Sequence, residues 1–118
     1  MKRSYEKLLK SYLATFPCVA LIGVRQCGKT TLLETLPEGW KHFDLERRAD
    51  LALASRDPDM FLRLNPRQVA IDEVQVMPEL FPALRVAIDE HRLERGRFVI
   101  TGSSSPEWNS PNLAHQKT

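Results

Sequence analysis

The stretch Gly23-Val24-Arg25-Gln26-Cys27-Gly28-Lys29-Thr30 matches the pattern G-x-x-x-x-G-K-[ST] at every fixed position. This pattern predicts a P-loop, a glycine-containing turn whose backbone N–H groups converge on the phosphates of a nucleotide. Lys29 adds a positive charge, and a helix that we expect to begin near Lys29 directs its positive end toward the same phosphates. Thr30 is then placed to hold Mg²⁺ through its hydroxyl.

The residues on both sides of this loop agree with the prediction. Val19-Ala20-Leu21-Ile22 is a short apolar run, typical of a strand covered on both faces, and residues 31–36 suit a helix that ends at Pro37. A glycine turn between two core elements is the alternative, and it is less favoured because both flanks fit. The predicted nucleotide-binding residues are Gly23, Arg25, Gln26, Cys27, Gly28, Lys29, Thr30 and Thr31.

Composition limits the remaining functions. A chain of 118 residues with 42% apolar and 27% charged residues is the size and balance of one globular domain. Its net charge of +2 gives no reason to expect nucleic-acid binding, and no apolar stretch is long enough to predict a membrane span. Cys18 and Cys27 have no metal-ligand spacing, so we expect free thiols in the reducing cytoplasm.

The segments around the loop predict an alternation of helices and strands. Six residues from Tyr5 to Phe16 have helical spacing, and we interpret this stripe as core packing in a helix that ends before Pro17. The alternating segment 40–46 predicts a strand at a sheet edge, and a helix is expected over 48–55. A short helix follows, with Asp57 as its N-cap and a proline in its first turn.

A second motif of chemical interest is Val69-Ala70-Ile71-Asp72-Glu73, an apolar strand that ends in two acids. Adjacent carboxylates at the end of a buried strand face either solvent or an ion, and two acids that simply open a surface loop are the alternative. In a P-loop protein an acid at this point binds the Mg²⁺ shell and a following Glu polarises water. We therefore assign Asp72 to the metal and Glu73 to the attacking water.

The last predicted elements are a helix from Pro78 to about Arg95 and a fourth strand over residues 97–101. Arg92, Arg95 and Arg97 are interpreted as a solvated helix end and turn. After the strand, the Ser103 hydroxyl is a candidate to reach the γ-phosphate or the attacking water. A plain Ser/Gly turn is the alternative interpretation of this segment.

With these motifs in place, the chain resembles a prokaryotic AAA+ ATPase. More narrowly, it is similar to ATP-binding proteins in which an AAA domain precedes a C-terminal domain of unknown function. The matching segments are residues 23–33, 43–47, 71–75, 84–89 and 100–104. The resemblance implies an α/β P-loop NTPase fold, with helices on both faces of a parallel sheet and ATP at the carboxyl ends of the strands. It also implies a sensor-type role for Ser103.

The sequence departs from this family after Ser105. We expect residues 1–105 to form an AAA-type core that lacks the last strand and the C-terminal domain, and residues 106–118 to be an unstructured tail. Because no arginine follows Ser105, we also expect the chain to hydrolyse ATP slowly unless another subunit supplies a cation.

Three functions stay open from the sequence. They are a MgATP-binding ATPase core, a nucleotide-binding fragment without turnover, and a P-loop kinase. The order of the strands distinguishes the first from the last, since an ATPase of this class inserts the 97–101 strand between the P-loop strand and the Asp72 strand. ATP or ADP and Mg²⁺ are the expected ligands, a homo-oligomer is an expected assembly, and the sequence identifies no protein partner.

Overall fold

The computed structural model of the protein describes residues 2–23 and 32–103. The helices and strands in chain order are α1 (Lys2–Thr15), β1 (Cys18–Gly23), β2 (Lys41–Asp44), α2 (Arg48–Arg56), α3 (Pro58–Leu64), β3 (Val69–Asp72), a 3₁₀ helix (Val74–Val76), α4 (Leu80–Glu90) and β4 (Phe98–Ser103). The predicted tail, residues 106–118, lies outside the described residues. Within the described ranges, no helix is long and apolar enough to cross a membrane.

The four strands form one parallel sheet in the order β1-β4-β3-β2. The last strand in the sequence, β4, lies between β1 and β3, and all six of its residues are buried. A continuous apolar run suits this central place, whereas the alternating sequence of β2 suits the edge that it occupies. Because the strands are parallel, their carboxyl ends lie at one edge of the sheet.

Helices cover both faces of this sheet, as predicted. Successive side chains of β3 and β4 alternate between the faces, so each strand contributes to two separate core clusters. On one face, Ile71 and Ile100 pack in a cluster that includes residues of α2, α3 and α4. On the other face, Ala70 and Val99 pack with Leu9 of α1 in a second cluster.

Helix α1 buries a narrower stripe than its sequence predicts. Leu9 is buried and the half-buried Leu13 packs in the same cluster. Four other members of the stripe are between 42% and 53% exposed, namely Tyr5, Leu8, Tyr12 and Phe16. Their interpretation as core residues was wrong. Among the residues that the structure describes, the core contacts of α1 come from the side that carries Leu9 and Leu13, where the helix lies against β1 at an edge of the sheet.

Helix α4 ends at Glu90, earlier than the predicted end near Arg95. The chain turns instead, and Gly96 has a φ of +62° with an added Cβ that would lie 2.9 Å from the carbonyl oxygen of Leu13. Only glycine fits this close approach in a left-handed conformation. The turn therefore carries the chain back past α1 into β4.

Arg97 is buried, with 2% of its surface exposed, so its predicted place in a solvated turn was wrong. Its Nη1 donates to the carbonyl oxygen of Ala87 at 2.7 Å, and its Nε donates to that of Pro66 at 2.9 Å. The guanidinium carbon also lies 4.8 Å from the centre of the Phe98 ring. Burial lowers the pKa of this guanidinium, while the charge of Glu94 acts in the opposite direction.

Candidate active site

Predicted site residues from three strands meet at the carboxyl edge of the sheet. Gly23 ends β1 and Ser103 ends β4, and these two residues are partners in the sheet register. Asp72 ends β3 on the other side of β4, and Glu73 follows it directly. The remaining predicted residues lie outside the described part of the chain: Arg25, Gln26, Cys27, Gly28, Lys29, Thr30 and Thr31.

The strand alternation places the polar side chains of β3 and β4 on a single face. Asp72 follows Ala70 by two positions and Thr101 follows Val99 by two, so each shares a face with the earlier residue. Ala70 and Val99 belong to the core cluster that also contains Leu33, which comes soon after the predicted loop. The polar groups at the sheet edge therefore face the side on which the loop segment returns to the fold.

Thr101 connects the two acids of the Asp72-Glu73 motif. Its side chain is fully buried, and its hydroxyl donates a hydrogen bond to Oδ1 of Asp72. The same hydroxyl oxygen accepts the backbone N–H of Glu73 at 3.0 Å. Thr101 thus orients the carboxylate of Asp72 and satisfies a buried amide at the point where β3 ends.

Glu73 has a left-handed backbone, with φ 60° and ψ 52°. A residue with a side chain adopts this conformation at a cost of about 1 to 2 kcal/mol, and such strain is concentrated at functional sites. The turn brings the Glu73 carboxylate against the end of β4, where the residue is 6% exposed. A buried carboxylate requires hydrogen-bond donors, and two neighbouring side chains supply them.

The two donors to Glu73 come from different elements. Ser103 Oγ lies 2.8 Å from Oε1 and 3.0 Å from Oε2 of the carboxylate. Gln75, in the 3₁₀ helix, donates from Nε2 to Oε1 at 2.7 Å. The Ser103 hydroxyl therefore binds Glu73, a contact that the sequence did not predict, and Ser103 belongs to β4 rather than to a plain Ser/Gly turn. Its reach to the γ-phosphate or the attacking water stays a prediction.

The surroundings of Asp72 fit a magnesium ligand. Asp72 borders a cleft of about 500 Å³. Its walls include Leu33 from the segment after the predicted loop, Asp44 at the end of β2, and Arg47 just before α2. Thr101 occupies one carboxylate oxygen, and no described residue donates to the other oxygen, Oδ2. Mg²⁺ prefers oxygen ligands and commonly takes one or two carboxylates together with phosphates and water.

Sequence reasoning missed two members of this site, Thr101 and Gln75. Thr101 could have been found by counting two residues back from Ser103, because alternate strand residues share a face. Gln75 carries a weaker signal, since only the left-handed turn at Glu73 and the 3₁₀ helix bring its amide back onto the carboxylate. The contacts of Thr101, by contrast, depend on β4 being the neighbour of β3.

Replacing Thr101 by valine is expected to lower the free energy of unfolding by about 1 to 3 kcal/mol, the usual cost of an unsatisfied buried polar group. Valine keeps the shape of the side chain but removes the acceptor for the Glu73 amide and the donor to Asp72. Urea unfolding measures the difference. Thr101→Ser, which keeps the hydroxyl, is the matched control, and equal stability of the valine and serine variants would contradict the role assigned to the hydroxyl.

The fold and the site together define a class of protein. A covered parallel sheet with the fourth strand between the first and third, and an acid pair at its carboxyl edge, is the architecture of an α/β domain of the P-loop NTPase type. A family model described as an AAA domain matches residues 15–116. The chain belongs to this AAA domain family, a family of nucleotide-binding, ATPase-like domains, and the resemblance to prokaryotic AAA proteins is confirmed.

Two relatives are similar to most of this chain. An uncharacterized protein of Mycobacterium tuberculosis is 38% identical over 108 residues, which cover 90% of this chain and 24% of the relative. An uncharacterized protein of Mycobacterium bovis matches with the same identity and coverage. The chain thus spans about a quarter of the length of the curated relatives that it matches.

Proposed function

We propose that this chain binds ATP or ADP together with Mg²⁺ and that the site is built to hydrolyse ATP. The observation that carries the proposal is the pair Asp72 and Glu73, held at the carboxyl edge by Thr101 and Ser103 beside the end of the P-loop strand. Membership of the AAA domain family supports the same class of function.

The residues have separate proposed roles. The backbone of residues 23–30 and the Lys29 side chain bind the phosphates, while Thr30 and Asp72 hold Mg²⁺, which supplies charge neutralisation when it is bound. Glu73 accepts a hydrogen bond from the attacking water and orients it. Ser103 lies within hydrogen-bond distance of Glu73 and can donate toward the γ-phosphate from the same position.

The strand order favours an ATPase over a P-loop kinase. A simple kinase pairs the P-loop strand directly with the acid-bearing strand, whereas β4 separates β1 from β3 in this protein. Glu73 also suits the activation of water, while a kinase needs a positioned acceptor hydroxyl. A cytoplasmic location and assembly into a homo-oligomer stay predictions from the sequence.

Nucleotide binding without turnover is the second candidate. The specific observation that favours it is the burial of the Glu73 carboxylate, which accepts hydrogen bonds from both Ser103 and Gln75. A carboxylate held in this way must replace one of its hydrogen bonds from the protein with one from water before it can polarise that water for attack. Measured turnover therefore separates the two candidates, and binding is common to both.

Thermal unfolding with and without nucleotide tests the proposal. MgATP or MgADP at about 100 times its dissociation constant should add about 2.7 kcal/mol to the stability of the protein. Lys29→Ala is expected to remove this effect, whereas Lys7→Ala on the exposed surface of α1 should keep it. No shift of the melting temperature for the folded wild type at millimolar nucleotide would reject nucleotide binding.

Cysteine alkylation gives an independent measurement. Nucleotide is expected to slow the alkylation of Cys27, which lies inside the P-loop sequence, and to leave Cys18 unchanged. Burial raises the pKa of Cys18 to about 11, so at pH 8 only about one molecule in a thousand carries the reactive thiolate there. The reaction at Cys18 should therefore stay slow and accelerate only as the pH approaches 11.

Mass spectrometry of the alkylated peptides reports both cysteines in one sample, so that Cys18 is an internal control. Equal rates at Cys27 with and without MgATP would contradict the placement of nucleotide at the loop.

A further inference from the structure

We propose that Gln75 is a positioning residue for the carboxylate of Glu73. The inference rests on the proposed function, because it assigns to Gln75 the task of orienting the group that orients the attacking water. Gln75 has no predicted role in the sequence motif, and its contact with Glu73 arises only from the fold.

The contacts of Gln75 reach both sides of the site. Its Nε2 donates to Oε1 of Glu73 at 2.7 Å, a short bond to a charged acceptor. Its Oε1 lies 3.4 Å from the backbone nitrogen of Ser103, at the end of β4. A Cβ added to Gly102 would lie 3.4 Å from the same Oε1, so the glycine leaves room for the amide against the strand.

The two side chains that donate to Glu73 differ in the other acceptors that we expect them to reach. Ser103 can turn its single hydroxyl hydrogen toward a phosphate oxygen, and the carboxylate then loses that donor. Gln75 follows Glu73 by two residues in the same turn, and its amide N–H group donates directly to the carboxylate. Gln75 therefore holds Glu73 in place at the stage when Ser103 contacts nucleotide.

The local backbone does not require the Gln75 side chain. The 3₁₀ helix is anchored by Val74 and followed by Met77, each only 1% exposed in the main core cluster. The amide of Val76 donates to the carbonyl of Glu73 at 3.1 Å and closes the turn. A replacement of similar size at position 75 should thus remove the contact and retain the fold.

The test compares single-turnover ATP hydrolysis, nucleotide affinity and melting temperature for the 118-residue chain and its variants. Gln75→Met has a similar length and no donor, and it should slow hydrolysis about tenfold or more, since a misplacement of about 1 Å can cost about 10²-fold. The affinity of this variant for MgATP should stay within about twofold of wild type, because the described contacts of the Gln75 amide are with Glu73 and Ser103 and the proposed phosphate-binding residues are unchanged. Val76→Ala, at an exposed position of the same 3₁₀ helix, is the matched control.

A double variant separates positioning from a general structural effect. If Gln75 acts through Glu73, Gln75→Met should cause no further loss in a Glu73→Gln background, because residues that act as a unit are not additive. A hydrolysis rate in the double variant that is reduced by the product of the two single-variant factors would overturn the inference. So would a wild-type rate for Gln75→Met, or a wild type that binds ATP without hydrolysing it.

If Gln75→Met does not fold, Gln75→Ala is measured in the same way, and unfolding of both variants overturns the inference in favour of a purely structural role. Failure of the wild-type protein to bind MgATP is a separate result, because it rejects the proposed function itself.

Discussion

Replacing Glu73 by glutamine is expected to slow the hydrolysis of bound ATP by a factor of about 10² to 10⁴, the usual contribution of a positioned general base. Glutamine has the same shape but a neutral side chain, so it polarises water poorly. Its oxygen can still accept the hydrogen bond from Ser103, and the buried packing around residue 73 is retained. Affinity for MgATP should therefore change little.

Single-turnover kinetics with protein in excess over ATP measure this effect, since the method detects slow hydrolysis. Glu79→Gln is the matched control, because Glu79 is exposed in the turn before α4 and lies outside the site. A variant that retains more than about half of the wild-type rate would remove Glu73 from the mechanism. Bound ATP that neither protein hydrolyses would instead favour nucleotide binding without turnover.

Replacing Arg97 by methionine is expected to lower the free energy of unfolding by about 3 kcal/mol or more. The variant leaves two carbonyl oxygens, those of Ala87 and Pro66, without their donors, and each unsatisfied buried group costs about 1 to 3 kcal/mol. The contact of the guanidinium with the Phe98 ring is also lost. Methionine fills part of the space, so the loss reports the hydrogen bonds more than a cavity.

Urea unfolding of Arg97→Met and Arg92→Met gives the comparison. Arg92 is an exposed neighbour in the same arginine cluster, and its replacement should change stability by less than about 0.5 kcal/mol. A loss below about 1 kcal/mol for Arg97→Met would contradict the assignment. It would mean that water satisfies both carbonyls from the cavity of about 100 Å³ that Arg97 borders.

The two arginines also show where sequence reasoning stops. Arg92 and Arg97 belong to the same charged cluster in the sequence, and nothing local distinguishes them. Arg97 becomes buried because it immediately precedes the central strand, where the carbonyls of α4 and of the loop after α3 converge on it. Burial of this charged side chain is tolerated because the two carbonyl oxygens accept its hydrogen bonds.

The exposed stripe of α1 has a similar explanation. The helical spacing from Tyr5 to Phe16 correctly predicted a helix, which the structure has at Lys2–Thr15, because periodicity is a local property. The width of the buried face depends on what the helix packs against, and α1 meets a sheet edge. Tyr12 and Leu9 therefore differ in burial although both fit the predicted apolar stripe.

The sequence by itself determined the class of fold, and it predicted Asp72 and Glu73 as the acids of the site. The eight-residue pattern of the predicted P-loop is contiguous, and so is the apolar run that leads into Asp72 and Glu73, so both can be recognised without the tertiary structure. The sequence also correctly predicted Asp57 as an N-cap, and its carboxylate accepts a hydrogen bond from the backbone N–H of Met60 at 3.1 Å. The information for each of these features lies within a few residues.

Only the tertiary structure decided how the acids are held. Thr101 and Ser103 reach Asp72 and Glu73 because β4 lies beside β3, and that adjacency joins residues nearly thirty positions apart in the chain. The left-handed turn at Glu73 then returns Gln75 to the same carboxylate. Hydrogen bonds of this kind depend on atoms within about 3 Å of each other, and strand order, rather than local sequence, brings those atoms together.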